Sequence, residues 1–253
     1  MGKIISFANQ KGGVGKTTST YNVGVMLAKR GYKTLIIDFD SQASLTISAN
    51  LEPFEQELSI VSVMKKGGAK AEGCIYPLQE NLHIITSRLE LAMLELEMIG
   101  RSMREMILSR AIEPIKDNYD FILIDCPPQL SILTINALAC SDNVIIPVKT
   151  DYLSYRGLEL IQETIREVQS EINPNLIESG VIATLFEMRL KDDNDILNAL
   201  KESYNVIAVV KKLAIARKGI YDGLSVSDLS PENDIAKEYS KVCDYIISLK
   251  AGQ

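Results

Sequence analysis

Residues Lys11-Gly-Gly-Val-Gly-Lys-Thr-Thr18 decide how the rest of the chain reads. They follow the apolar run Ile4-Ile5-Ser6-Phe7-Ala8 and precede a helical pattern from Thr17 to about Lys29. Strand, glycine loop and helix together form the setting that a phosphate-binding loop requires. Gly12, Gly13 and Gly15 open backbone angles closed to other residues, so successive N–H groups, Val14 and Thr18 included, can turn toward phosphate oxygens. The start of the helix adds free N–H groups and a positive dipole end. Lys16 then supplies a fixed cation for β- and γ-phosphates, and Thr17 a hydroxyl for Mg²⁺. The strict pattern G-x-x-x-x-G-K-[ST] is broken, because Gln10 stands at its first glycine and the loop carries a second lysine, Lys11.

A chain of 253 residues suits one α/β domain spanning 1–253. Its 46% hydrophobic and 24% charged residues are ordinary for a globular protein. The net charge of −6 means that any nucleic-acid contact must come from a local basic patch. Cys74, Cys126, Cys140 and Cys243 are scattered with no C-x-x-C, which argues against a zinc site and fits a reducing cytoplasm. No signal peptide is read at the N-terminus, and no apolar run approaches the roughly 18 residues of a membrane span.

Outward from the loop, Gly31 reads as a helix C-cap, and Thr34-Leu-Ile-Ile37 as a buried parallel strand delivering Asp38. Carboxylates at strand C-termini are where open α/β sheets put ligand chemistry, although an Asp there also serves as a cap or turn former. Ser59 to Lys65 suggests a short helix, and Leu82 to Thr86 a strand whose His83 is read as packed or solvated. Leu91 to Met98 and Met103 to Ile115 are apolar at helical spacing. Met93, Met98, Met103 and Met106 are most simply core filler, with a partner-binding face as the other reading. Phe121-Ile-Leu-Ile124 delivers Asp125, an acid placed to meet Mg²⁺ through water, and Pro127 and Pro128 turn the chain out of the sheet beside the γ-phosphate. Cys126 lacks a neighbouring base and reads as a small buried residue. Strands at Val144–Val148, Val181–Leu185 and Val206–Val210 alternate with helices at 154–172, 195–204 and 232–249. The alternation predicts an α/β fold: a doubly wound, mostly parallel sheet with helices on both faces.

The run Asn9-Gln10-Lys11-Gly12-Gly13-Val14-Gly15-Lys16-Thr17-Thr18 resembles the deviant Walker A box of the ParA/MinD class of P-loop ATPases, nearest the small Soj-type partition proteins. Asp38-Phe39-Asp40-Ser41-Gln42, Ile124-Asp125-Cys126-Pro127-Pro128 and Pro147-Val148 extend it over most of the chain. The resemblance implies that Lys11 reaches the partner's phosphates in an ATP-bound sandwich dimer. It implies further that Asp40 orients the attacking water, and that Asp38 and Asp125 serve the metal. It also implies slow hydrolysis without a partner, non-specific DNA binding by the dimer, stimulation by a ParB-like centromere-binding protein, and a cytoplasmic, nucleoid-associated life with no stable membrane association.

Two departures stand out. Ser41 replaces the family's usual proline, and Lys211-Lys212 replace the Pro-Arg that lines the adenine pocket, which opens the question of adenine against guanine. Lys201, Lys211, Lys212, Arg217 and Lys218 face one acid, Glu202, between 201 and 218, so Arg189, Lys211, Lys212, Arg217 and Lys218 are the expected DNA contacts. Three rivals share the nucleotide motifs. A MinD-like membrane-cycling ATPase needs a basic amphipathic tail, which Tyr245–Gln253 lacks. An iron–sulfur reductase would have only Cys126 and Cys140 to offer. The third is a regulatory switch that uses the ATP dimer to control another protein.

Overall fold

The computed structural model describes residues 2–212 and 223–251; the expected DNA contacts Arg217 and Lys218 lie outside them. The described residues contain eight strands: β1 Lys3–Phe7, β2 Thr34–Asp38, β3 Ile75–Gln79, β4 Leu82–Ile85, β5 Phe121–Asp125, β6 Asn143–Lys149, β7 Ile177–Phe186 and β8 Val206–Lys211. They make one sheet in the order β3-β4-β2-β5-β1-β6-β7-β8, parallel except for β3 on β4. The helices are α1 Lys16–Lys29, α2 Ser44–Ser48, α3 Ile60–Met64, α4 Leu91–Met98, α5 Ile107–Ile112, α6 Ile132–Cys140, α7 Tyr152–Arg156, α8 Leu158–Glu171, α9 Lys191–Ser203, α10 Val226–Leu229 and α11 Asp234–Ala251. None is long and apolar enough to cross a membrane.

The central strands β1, β2 and β5 are buried throughout because both faces of the sheet are covered, and they are correspondingly rich in Ile, Leu and Phe. Successive residues of β1 serve opposite cores: Ile4 packs with Ile60, Leu94, Leu138 and Ile165 beneath α3 to α8. Ile5 and Phe7 pack with Val23 and Leu27 of α1 and Tyr239 and Ile246 of α11. Burying each such aliphatic side chain contributes about 1.5–3 kcal/mol.

Register sets the site. Phe7 pairs with Asp125 and Asp38 pairs with Asp125, so β1, β5 and β2 end level at their carboxyl ends. From β1 the chain winds first toward β4 and then back toward β8, and that reversal opens the crevice where such sheets bind ligands. Pro147 sits inside β6 without loss, because pairing with β1 stops at Ile145. Its carbonyl accepts instead from Asn9 Nδ2 at 2.7 Å.

Several elements differ from the sequence expectation. β3 was not anticipated; it is an antiparallel edge strand containing Pro77, a position where the missing N–H costs no ladder bond. The expected helix from Met103 to Ile115 breaks into a 3₁₀ turn at Arg104–Met106, α5, and a second 3₁₀ turn at Glu113–Asn118. Met103 stands at φ 52° before the first turn, and Pro114 ends α5 by steric conflict with the preceding turn. The helix expected over 154–172 divides at Gly157 into α7 and α8. α6, capped by Ser131 Oγ on the Leu133 amide, gave no periodic signal because it is apolar nearly all round. Of the methionines read as core filler, Met98 is buried but Met93 and Met103 are exposed.

Candidate nucleotide-binding site

The loop after β1 is braced from three sides before it reaches α1. Asn9 donates to the Pro147 carbonyl and accepts the Lys11 amide at 3.0 Å. Gln10 donates to the Gly157 carbonyl at 3.1 Å, and Thr184 of β7 donates to the Val14 carbonyl at 2.8 Å. Gly15 immediately precedes α1 at φ 86°, a left-handed angle that strains any residue with a Cβ. A cavity of about 490 Å³ opens over this turn, walled by Gly12, Gly13, Gly15, Lys16, Thr17 and Thr18. Val14 points inward and is buried.

Lys16 is only 7% exposed, and its Nζ donates to the Lys11 carbonyl at 3.1 Å. Burial lowers its pKa, opposed by the Asp125 carboxylate. Asp125 accepts from the Thr17 hydroxyl at 2.6 Å through Oδ2, while Oδ1 is buried without a partner. Burial, and then the charge of Asp38, push the Asp125 carboxyl well up. A buried carboxylate with one idle oxygen beside a threonine hydroxyl offers oxygen donors suited to a hard divalent cation.

Asp38, expected at the metal, is occupied otherwise. Its Oδ2 accepts the Thr46 amide and hydroxyl at 2.8 and 2.7 Å, and its Oδ1 accepts the Asp40 amide at 3.2 Å. Burial pushes its carboxyl up to about 7 despite these bonds. It fixes the start of α2 against β2, and Asp40 is the acid that reaches the cavity wall. Asp40 turns its own loop by accepting the Gln42 amide at 3.0 Å, and Ser41 lies within that turn.

Pro128 lines the cavity, whereas Pro127 is buried behind it. Lys211 and Lys212, at the end of β8, also line it and are ion-paired, to Asp234 at 2.7 Å and Glu187 at 2.6 Å. They belong to the wall of the pocket, with Leu185, Val210, Ile235 and Tyr239 as its apolar part. Arg189 is exposed after β7 and has no ion pair among the described residues. Cys126 is buried, which pushes its thiol up to about 12, as suits a packing residue. His83 bonds Tyr119 Oη at 2.8 Å, away from the cavity.

Lys11 turns away from its own loop. Its Nζ lies 3.0 Å from Asp151 Oδ1, and Asp151 also takes Lys149 at 3.0 Å and the Ser154 amide at 2.7 Å, capping α7. Partial burial pushes the Asp151 carboxyl up, but the Ser154 amide and the two lysines outweigh it and hold it below its ordinary value. Sequence reasoning missed Asp151, Thr46 and the bracing role of Thr184. Asp151-x-x-Ser154 carries an N-cap signature, yet nothing local ties it to a lysine 140 residues earlier.

A family model described as an AAA domain matches residues 2–177. The chain is 38% identical over 204 residues to the sporulation initiation inhibitor protein Soj of Bacillus subtilis, covering 81% of each. It is 32% identical over 252 residues to the chromosome-partitioning ATPase Soj of Treponema pallidum, covering 98% of each. Among solved structures it is similar to cobyrinic acid a,c-diamide synthase from Mycobacterium smegmatis with bound ATP analogue and magnesium, with a TM-score of 0.87, 27% identity, and 100% and 98% of the two chains covered. The loop with its second lysine, the level strand ends and these matches lead to one conclusion: the chain belongs to the ParA/MinD class of P-loop ATPases.

Proposed function

We propose that this chain is a ParA-type partition ATPase, in which ATP closes a sandwich dimer that binds DNA without sequence preference. ATP with Mg²⁺ is the ligand that the cavity suits: a glycine loop and helix start for phosphates, with Lys16 within it. Thr17 and Asp125 would hold the metal, and the idle Asp125 Oδ1 supports that assignment. When bound there, Mg²⁺ would supply positive charge against the phosphates. Lys16 shares that task from within the subunit, and Lys11 from across the dimer. Asp40 orients the water that attacks the γ-phosphate, and positioning and charge neutralisation supply most of the acceleration. Turnover is slow until a centromere-bound, ParB-like partner stimulates it.

The observation that carries this reading is Lys11. Its ammonium does no work in its own cradle and sits on a partly exposed ion pair, from which it can be exchanged at little cost. DNA contacts fall to Arg189, Arg217 and Lys218, because Lys211 and Lys212 line the nucleotide cavity.

A solved neighbour named as a synthase shares the fold, and one fold hosts many activities, so DNA binding is the discriminating test. Isotherms on duplex DNA at several salt concentrations should show binding with ATP and little with ADP, with a log–log slope of about −0.9 per phosphate neutralised. Replacing Arg217 and Lys218 with alanine should flatten the slope by up to about 2 units per protomer. Equal binding in both nucleotides, or none in either, would overturn the partition reading.

A further inference from the structure

On the face opposite α1, the turn after α3 and the start of α5 enclose a second cavity of about 780 Å³. Lys65, Lys66, Lys70, Arg101 and Arg110 surround it, against a single acid, Glu72, in a chain whose net charge is −6. Among the described residues none of these five cations is ion-paired. Self-repulsion makes such an arrangement costly unless an anion occupies it part of the time. The turn that presents the lysines has a fixed shape. Gly67 stands at φ 66°, and a Cβ on Gly68 would lie 2.2 Å from the Ser62 carbonyl oxygen. Arg101 is anchored as well, donating from Nη1 to the Met64 carbonyl at 2.7 Å.

The floor of the cleft is apolar, with Val63, Ala71, Ile107 and Ala111 among its lining. The apolar surface continues outward along α4. Leu91, Leu94 and Met98 face the core. Leu89, Met93 and Leu96, spaced four and three apart, emerge on the opposite side, and Ile99 and Met103 extend the stripe to the cleft wall. These five are between 58% and 70% exposed. Arg110 ties the two regions together by donating to Met103 Sδ at 2.8 Å.

We infer that this surface docks an acidic amphipathic segment of a partner protein, with its carboxylates in the basic cleft and its apolar side chains along α4. An apolar centre with charges at the rim is the anatomy of a protein interface. The rim lysines are exposed, whereas a small phosphate ligand would call for buried, preorganised donors. A DNA backbone offers nothing to an apolar stripe. Glu97 on α4 and Glu90 just before it border that stripe and fix the polarity, excluding the acidic end of the segment from it.

The probe is a synthetic helix of about 16 residues, roughly 24 Å long, with leucine on one face and glutamate on the other. A matched peptide with lysine in place of glutamate serves as control. With methyl-labelled methionine in the full chain, the acidic peptide should shift the Met93 and Met103 signals and leave Met26 and Met188 in place. The double substitution K66E/K70E should weaken that peptide at least about tenfold, since two attractions become repulsions, while ATP binding is unchanged and reports an intact fold. Equal binding of the two peptides, shifts confined to other methionines, or undiminished affinity of K66E/K70E would overturn the inference. So would competition by duplex DNA that displaces the peptide from the same methionines, which would make the cleft a polyanion surface. Concentration-dependent self-association without nucleotide that K66E/K70E abolishes would instead make it a contact between copies of this chain.

Discussion

Lys11 Nζ and Asp151 Oδ1 are 3.0 Å apart across 140 residues of sequence, joining the phosphate loop to the cap of α7. Both side chains are about one-third exposed, at 33% and 31%. A pair so placed is worth about 0–1 kcal/mol, enough to set where the lysine rests and too little to hold it there against a phosphate. Lys16, by contrast, is buried against the loop's own backbone. Two lysines five residues apart thus have different environments, one buried against the loop and one on a partly exposed ion pair.

Lys16→Ala should lower ATP affinity at least about 100-fold, because hydrogen bonds to charged groups are worth about 1.5–3 kcal/mol each and Lys16 offers more than one. Equilibrium titration with a fluorescent ATP analogue measures it. Affinity equal to the unaltered protein would remove Lys16 from the phosphate site.

Asp40→Ala should still bind ATP and dimerise, yet release phosphate about 100-fold more slowly, and so accumulate the dimer. A group that acts on the attacking water stabilises the transition state more than the bound ground state. Asp40 lines the cavity while Asp38 is consumed by Thr46, so the effect should belong to position 40. Phosphate release at the unaltered rate would send the role elsewhere.

Thr46→Val should destabilise the nucleotide-free protein by about 1–3 kcal/mol, because the fully buried Asp38 Oδ2 loses its hydroxyl donor. Each kcal/mol corresponds to about 2–4 °C in Tm for a protein of this size. Calorimetry decides, and an unchanged Tm would mean that the Thr46 amide alone satisfies Asp38.

The parts of the site legible in the sequence are those where chemistry is local. Gly15-Lys16-Thr17 after an apolar run announces a phosphate loop because backbone angle, cation and hydroxyl are consecutive along the chain. Asp125 is equally visible, as the acid that ends an all-apolar strand. What stayed hidden depends on tertiary neighbours. Asp38 and Asp40 differ in role only because Thr46, on α2, folds back onto the first of them. Lys211 and Lys212 read as a basic patch until Asp234 and Glu187, from elsewhere in the chain, are seen beside them. Whether Met93 on α4 and Met103 beyond it are core or surface is likewise left open by the sequence, since apolar spacing marks a helix without saying how much of it the core covers.

The most direct test of the central claim is the mass of the chain in solution, by size-exclusion chromatography with light scattering, for the unaltered protein and Lys11→Ala. The expected result is 28.0 kDa with ADP for both, twice that mass with ATP for the unaltered protein, and a monomer with ATP for Lys11→Ala despite retained ATP binding. A Lys11→Ala chain that still dimerises on ATP would contradict the claim that this lysine serves the partner's phosphates.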